Sequence, residues 1–305
     1  MNEKYLVIAG TNKAGTTSFY EYLAAHPAVS AAFIKQTFFF LDKEWQQKLD
    51  LKSLYDYEKG FEQFDQFFRN HTPGQHKLEG SPEYLYAPGT PQRLFDFLST
   101  HNGEILFILR NPVSRFISLF YFGKQLGLIN AACTFHEFIE QSKNHRGNTN
   151  TSLMAFETGF YSRYLENYIH IFGRQKIRVY FFEDMMADTK SFMQQVSNDI
   201  GLDPSFYDDF TFQLQNKTVA VKNELLGKWY LSARASFIEH TYKSKAGFYT
   251  GSLLKKMITP LYKKLNTASL EKQQIDAADK TYLEDIYKSE KEKLEQLLGI
   301  KVPWQ

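Results

Sequence analysis

Cysteine is almost missing from this chain: Cys133 is the only one in 305 residues. An intramolecular disulfide is therefore excluded, and nothing points to an oxidising compartment. Metal-ligand spacing is missing as well. The 8 histidines are scattered, and neither H-x-x-x-H nor C-x-x-C occurs, so no metal is expected. An excess of one charge is also lacking, since 36 Lys and Arg face 34 Asp and Glu for a net charge of +2. That near-neutral balance gives no basic field of the kind a nucleic-acid partner requires, and none is expected. There is no run of 18 apolar residues, and the first apolar segment starts at Tyr5, which leaves no room for a leader. The expectation is a cytoplasmic protein, and the start Met before a short polar lead fits a bacterial one.

What is present suits a folded enzyme. With 43% hydrophobic and 23% charged residues, the chain can build one sizeable α/β domain. Its 28 Phe and 19 Tyr are spread along the sequence, so most belong in the core.

The segment from Leu6 to Leu23, LVIAGTNKAGTTSFYEYL, runs from an apolar strand through a short loop into an amphipathic helix. Its loop carries Gly10, Lys13, Ala14, Gly15, Thr16, Thr17 and Ser18. Glycines let the backbone curve around an anion, the lysine supplies positive charge, and the helix N-terminus supplies N–H donors. A nucleoside-triphosphate P-loop places its lysine directly after the last glycine; here Thr16 holds that place and Lys13 precedes Gly15. A second strand-to-helix turn follows in EILFILRNPVSRFISLFYF, Glu104 to Phe122, where Arg110 ends the strand and Asn111 and Pro112 open the helix. In a parallel sheet the two turns would lie side by side at the carboxyl edge, where open α/β folds bind ligands. Arg110 presents a fork suited to phosphate, and Ser118 lies two helical turns further on the same side.

Together these motifs resemble those of sulfotransferases that use 3′-phosphoadenosine 5′-phosphosulfate, in particular the Golgi-type and bacterial carbohydrate members. The first loop resembles their 5′-phosphosulfate loop, K-x-G-T-T-x-L, and the second resembles their 3′-phosphate motif, L-R-[DN]-P-x-x-R-x-x-S, at every fixed position. Gly159, Tyr161 and Leu165 resemble the family's G-x-Y-x-x-x-L helix start, and Lys176 to Met185 its later strand ending in Glu-Asp. Leu78 to Tyr86, LEGSPEYLY, resembles the acceptor-side segment E-x-[ST]-P-x-Y. Asn216 to Asn223 resembles a loop whose basic residue, here Lys222, closes over the nucleotide.

The resemblance implies a P-loop-like α/β fold with a central parallel sheet flanked by helices. It also implies sulfuryl transfer to a hydroxyl or amine of a carbohydrate or glycolipid acceptor. Lys13 would neutralise the leaving phosphate while Ala14 to Ser18, Arg110, Ser118 and Lys222 hold the nucleotide. One departure bears on the chemistry. The family's K-E-x-x-F-F, whose glutamate is the general base, reads Lys35, Gln36, Thr37, Phe38, Phe39, Phe40 here. A neutral amide has no useful basicity near pH 7. Three answers stay open on the sequence: Glu79 takes over, Gln36 only orients a sufficiently nucleophilic acceptor, or the chain binds nucleotide without turnover. An ATP-dependent small-molecule kinase is the remaining rival, disfavoured by the displaced lysine.

The order of elements predicts a single domain across 1–305, with a nucleotide-binding core over 1–230 and a helical extension over 231–305. Acceptor-side insertions are expected at 35–86 and 131–151, the latter as a mobile loop. Further on, 240–270 holds six lysines and no Asp or Glu, with Leu253, Leu254, Met257, Ile258 and Leu261 at helical spacing and Pro260 as a break. That segment suits contact with an anionic lipid surface or a polyanion. A final helix is expected from about Ala278 to Leu298.

Overall fold

The computed structural model describes residues 3–49, 51, 53–144, 153–213 and 275–304, with scattered positions between 220 and 268. Five parallel strands form the central sheet: β1 (Tyr5–Gly10), β2 (Val29–Ala31), β3 (His76–Gly80), β4 (Gly103–Leu109) and β5 (Ile177–Phe181), in the order β2-β3-β1-β4-β5. β1 and β4 are apolar almost throughout because both of their faces are covered, as buried parallel strands require. Side chains alternate between the two faces. Val7, Ala9, Phe107 and Val179 point one way, into a core with Phe39, Phe40, Phe64, Phe97 and Tyr168. Leu6, Ile8, Leu106 and Tyr180 point the other way, against Phe19, Leu23, Met193 and Val196. The aromatic content is thus mostly core, as its even spread implied.

Helices cover both faces: α1 (Thr16–Ala25), the short α2 (Lys43–Lys48) and α3 (Glu62–Asp65), α4 (Thr90–Leu98), α7 (Tyr161–Phe172), α8 (Phe182–Ala187) and α9 (Thr189–Ile200); α5 (Pro112–Gln125) and α6 (Phe135–Lys143) come between α4 and α7 in the chain. A long C-terminal helix, Ala277–Leu298, buries Leu283, Tyr287, Leu294 and Leu298 at helical spacing and ends before Gly299 at φ 68. The expected α/β architecture is the one observed.

Two expectations need correction. The stretch 35–86 is not all insertion, because His76–Gly80 is an interior strand of the sheet between β2 and β1. Nor is 131–151 one loop: Phe135–Lys143 is helical, opened by a capping box in which Thr134 and Glu137 satisfy each other's backbone N–H groups. Residues 145–152 lie outside the described part, as does most of 240–270.

The chain divides into two compact units rather than at residue 230. The first comprises 1–115, 157–216 and 282–305, and the second 116–156 and 217–281. The first unit contains the sheet. In the second, Phe116 and Phe120 pack on Phe135 and Phe138, His136 meets Asp279 at 2.8 Å, and β6 (Ala220–Val221) pairs antiparallel with β7 (Thr267–Ala268). No described helix is long and apolar enough to cross a membrane.

Candidate active site

All five strands run the same way, so the loops after β1, β3, β4 and β5 emerge at one edge. The loop after β1 is braced at nearly every residue. Thr11 bonds to the Tyr86 hydroxyl, and Asn12 is held through its carbonyl at 2.9 Å and its side-chain oxygen at 2.6 Å by Arg115. Arg110 donates to the Lys13 carbonyl at 3.2 Å. Lys13 itself sits at φ 64, a left-handed conformation that costs a side-chain-bearing residue about 1–2 kcal/mol and persists only where the surroundings enforce it. Gly15 caps α1 at φ 82, and a Cβ there would stand 2.7 Å from both Met185 and Phe182. Only glycine meets both conditions. Having no side chain, it cannot bond the first-turn N–H groups of α1, which leaves that helix end suited to an anion.

The structure therefore brings Lys13, Ala14, Gly15, Thr16, Thr17, Ser18 and Arg110 together, because β1 and β4 are neighbours in the sheet. Burial holds the Lys13 ammonium down to about 8, with Arg110 adding repulsion. Two neighbouring cations, each partly desolvated, make a place where a bound anion would be stabilised. Arg110 stacks 4.7 Å over the Phe182 ring, and its own carbonyl accepts from the Tyr161 hydroxyl at 2.8 Å. The turn into α5 is fixed by Asn111, whose side chain accepts from Ser114 N at 3.0 Å and whose N–H donates to Glu183 at 2.9 Å. Ser118 is partly exposed on α5 and falls in the second unit, and Lys222 lies outside the described residues.

Several residues of the site were not singled out by sequence reasoning. Lys35 donates to the Thr17 hydroxyl at 3.2 Å, and burial depresses its ammonium to about 8 against the pull of Glu83, Glu21 and Glu79. It stands immediately before Gln36 in the same quoted run, which was the available signal. Arg115 is 1% exposed and spends its guanidinium on Asn12 and Thr158, supporting the loop from beneath. It is the second arginine of the 3′-phosphate motif, here a structural brace.

The segment 79–86, from the end of β3 onward, is locked to residues 35–40. Gly80 N donates to the Lys35 carbonyl at 2.9 Å, Phe38 N to Ser81 Oγ at 3.1 Å, and Phe40 N to the Tyr84 hydroxyl at 3.2 Å. Glu79 is at the centre of this lock. One of its oxygens accepts from Thr37 Oγ1 at 3.2 Å and Ser81 Oγ at 3.1 Å, while the other is buried without a partner among the described residues. It is 0% exposed, and burial pushes its carboxyl up to about 8. Gln36 does not reach Glu79. Its amide nitrogen lies 3.5 Å from Oε2 of Glu83, the first residue of acid character beyond Pro82.

Comparison with known proteins agrees with this geometry. The profile of the sulfotransferase domain family matches residues 3–288. Human heparan sulfate glucosamine 3-O-sulfotransferase 5 is 26% identical over 199 residues, covering 65% of this chain and 53% of that protein. Human heparan sulfate glucosamine 3-O-sulfotransferase 3B1 is 24% identical over 196 residues, covering 64% of this chain and 45% of that one. The chain spans about half the length of these curated relatives. Among solved structures, a sulfotransferase from Alicyclobacillus acidocaldarius superposes with a TM-score of 0.66 at 17% identity, covering 99% of this chain and 98% of that one, which establishes the fold. With a sulfotransferase profile matching nearly its whole length and the two phosphate motifs side by side at the sheet edge, this chain belongs to the sulfotransferase domain family.

Proposed function

We propose that the protein transfers a sulfuryl group from 3′-phosphoadenosine 5′-phosphosulfate to a hydroxyl or amine of a carbohydrate or glycolipid-type acceptor. The observation that carries this reading is the bond from Arg110 to the Lys13 carbonyl, which sets the cation of each phosphate motif beside the other. A nucleotide with phosphate at both its 3′ and 5′ positions needs such a pair; a nucleoside triphosphate does not. Sulfuryl transfer, like phosphoryl transfer, passes through a loose in-line transition state in which negative charge gathers on the leaving phosphate. Lys13 neutralises that charge, the first-turn N–H groups of α1 hold the 5′-phosphate, and Arg110 holds the 3′-phosphate. Removing one such preorganised donor typically costs about 10²–10³-fold in rate. The named relatives act on heparan sulfate, which supports a carbohydrate acceptor here.

Calorimetric titration with 3′-phosphoadenosine 5′-phosphate, with Mg²⁺ and ATP in parallel, tests the donor half. Saturable binding of the bisphosphate that Arg110→Ala abolishes, with ATP ignored, is the expected result. Preference for ATP would favour the kinase reading and overturn this one.

A further inference from the structure

Gln36 stands where the family's base is expected, and an amide cannot take a proton. The acceptor side must then supply a carboxylate from elsewhere, and the segment 78–86 carries two, Glu79 near the end of β3 and Glu83 in the turn after it. Glu79 is closed off: it is fully buried and is engaged in tethering Thr37 and Ser81, so an acceptor hydroxyl has no route to it. Glu83 differs on each count. It is partly exposed on the 3₁₀ turn Pro82–Leu85, and the Gln36 amide approaches its Oε2 at 3.5 Å. The Lys35 ammonium, bonded to Thr17 of the phosphate loop, feels the Glu83 charge more than that of any other carboxylate. Glu83 thus lies beside position 36, where the base would stand, and next to the lysine that bonds the loop after β1.

We propose that Glu83 is the general base of the transfer and that Gln36 positions its carboxylate. This rests on the sulfuryl-transfer reading above. In the step, the acceptor O–H proton passes to Glu83 while the freed oxygen lone pair forms the new O–S bond. The S–O bond to the 5′-phosphate breaks, its electron pair remains on the phosphate oxygen beside Lys13, and the proton later leaves Glu83 to water. The role of base has moved by one contact, from residue 36 to the residue that residue 36 touches.

Bisphosphate binding and consumption of the sulfate donor are to be measured in parallel for wild type, Glu83→Gln, Glu83→Asp and the double variant Q36E/E83Q. Heparan sulfate serves as acceptor probe, and release of inorganic sulfate reports transfer to water. Glu83→Gln is expected to bind the bisphosphate as wild type does but to lose about 10²–10⁴-fold in rate. Its acid limb in the pH–rate profile, set by Glu83, whose carboxyl burial raises while Lys35 pulls it back down, should vanish. Glu83→Asp should recover part of the rate, and Q36E/E83Q should restore both rate and limb by returning a carboxylate to position 36. A Glu83→Gln rate within about threefold of wild type overturns the assignment while leaving the donor site standing. So does a wild-type protein that binds the bisphosphate yet consumes no donor with either probe. Absence of bisphosphate binding in wild type removes the donor site itself, and the base with it.

Discussion

At Lys13 the protein holds a charge in a place that disfavours it. Burial and the neighbouring Arg110 bring its ammonium down to about 8, and a bound phosphate reverses both effects by supplying an opposite charge. The lysine pKa in the complex must therefore exceed that of the free protein. It follows that nucleotide affinity is full below about 8 and weakens as pH rises through the free and then the bound value. Binding at pH 8.5 should also draw a proton from solution. Calorimetry in two buffers of different ionisation enthalpy would show this as a buffer-dependent heat, and Lys13→Ala should diminish it. A heat independent of buffer would mean that Lys13 is not at the phosphate. The phosphate loops were readable from sequence because their function depends on local backbone geometry, which glycine spacing and a strand-to-helix turn encode. Glu83 was not readable in this way. Its meeting with Gln36 depends on β3 entering the sheet and on the hydrogen bonds of Thr37, Ser81 and Tyr84, none of which leaves a short-range pattern.

Among the elements, the C-terminal helix shows how a distant segment finishes a local structure. Glu290, 1% exposed, accepts from Ser162 N at 2.6 Å and from Ser162 Oγ at 3.0 Å, so it satisfies an orphan donor in the first turn of α7. One turn back, Tyr287 presses on Gly159, where an added Cβ would come within 2.5 Å of its ring. This contact explains why the segment before α7 carries glycine at that position. Glu290→Ala leaves the Ser162 N–H buried and unpaired and should destabilise the fold by roughly 1–3 kcal/mol, measurable by urea unfolding. An unchanged midpoint would show that the bond contributes nothing. The C-terminal helix, expected from about Ala278 to Leu298, runs Ala277–Leu298, because its apolar residues recur at helical spacing up to a glycine stop. β2 and β3 escaped such a reading. His76–Gly80 mixes charged and apolar residues and has no apolar run, because Lys77 turns outward to Asp65 and Glu79 is buried by its hydroxyl partners. α6 was read as loop for a related reason: its polar face dominated the composition, and the capping box from Thr134 to Glu137 was the overlooked signal.

At the scale of the whole chain, the last residues return to the sheet edge. Val302 and Trp304 are buried in the same core as Phe107 and Tyr161, and the Trp304 indole donates to Glu183 at 3.0 Å. Glu183 in turn receives the N–H of Asn111, next to Arg110. Residues nearly two hundred positions apart thus hold one carboxylate between them, and that carboxylate fixes the turn bearing Arg110. Deleting residues after Gly299 should lower the melting temperature and weaken bisphosphate binding together, since both depend on Glu183. Loss of stability without loss of affinity in the folded fraction would separate the two. The fold class followed from the alternation of strands and helices, whereas this closure by the chain end did not, because a short tail of ordinary composition carries no periodicity.

The same arrangement gives the protein an internal light source at its nucleotide end. Of the three tryptophans, Trp229 is 67% exposed, Trp45 lies on the short helix α2, and Trp304 is tied through Glu183 to the turn that carries Arg110. With the other two replaced by phenylalanine, the emission of that single indole would follow occupancy of the site in real time, without a label.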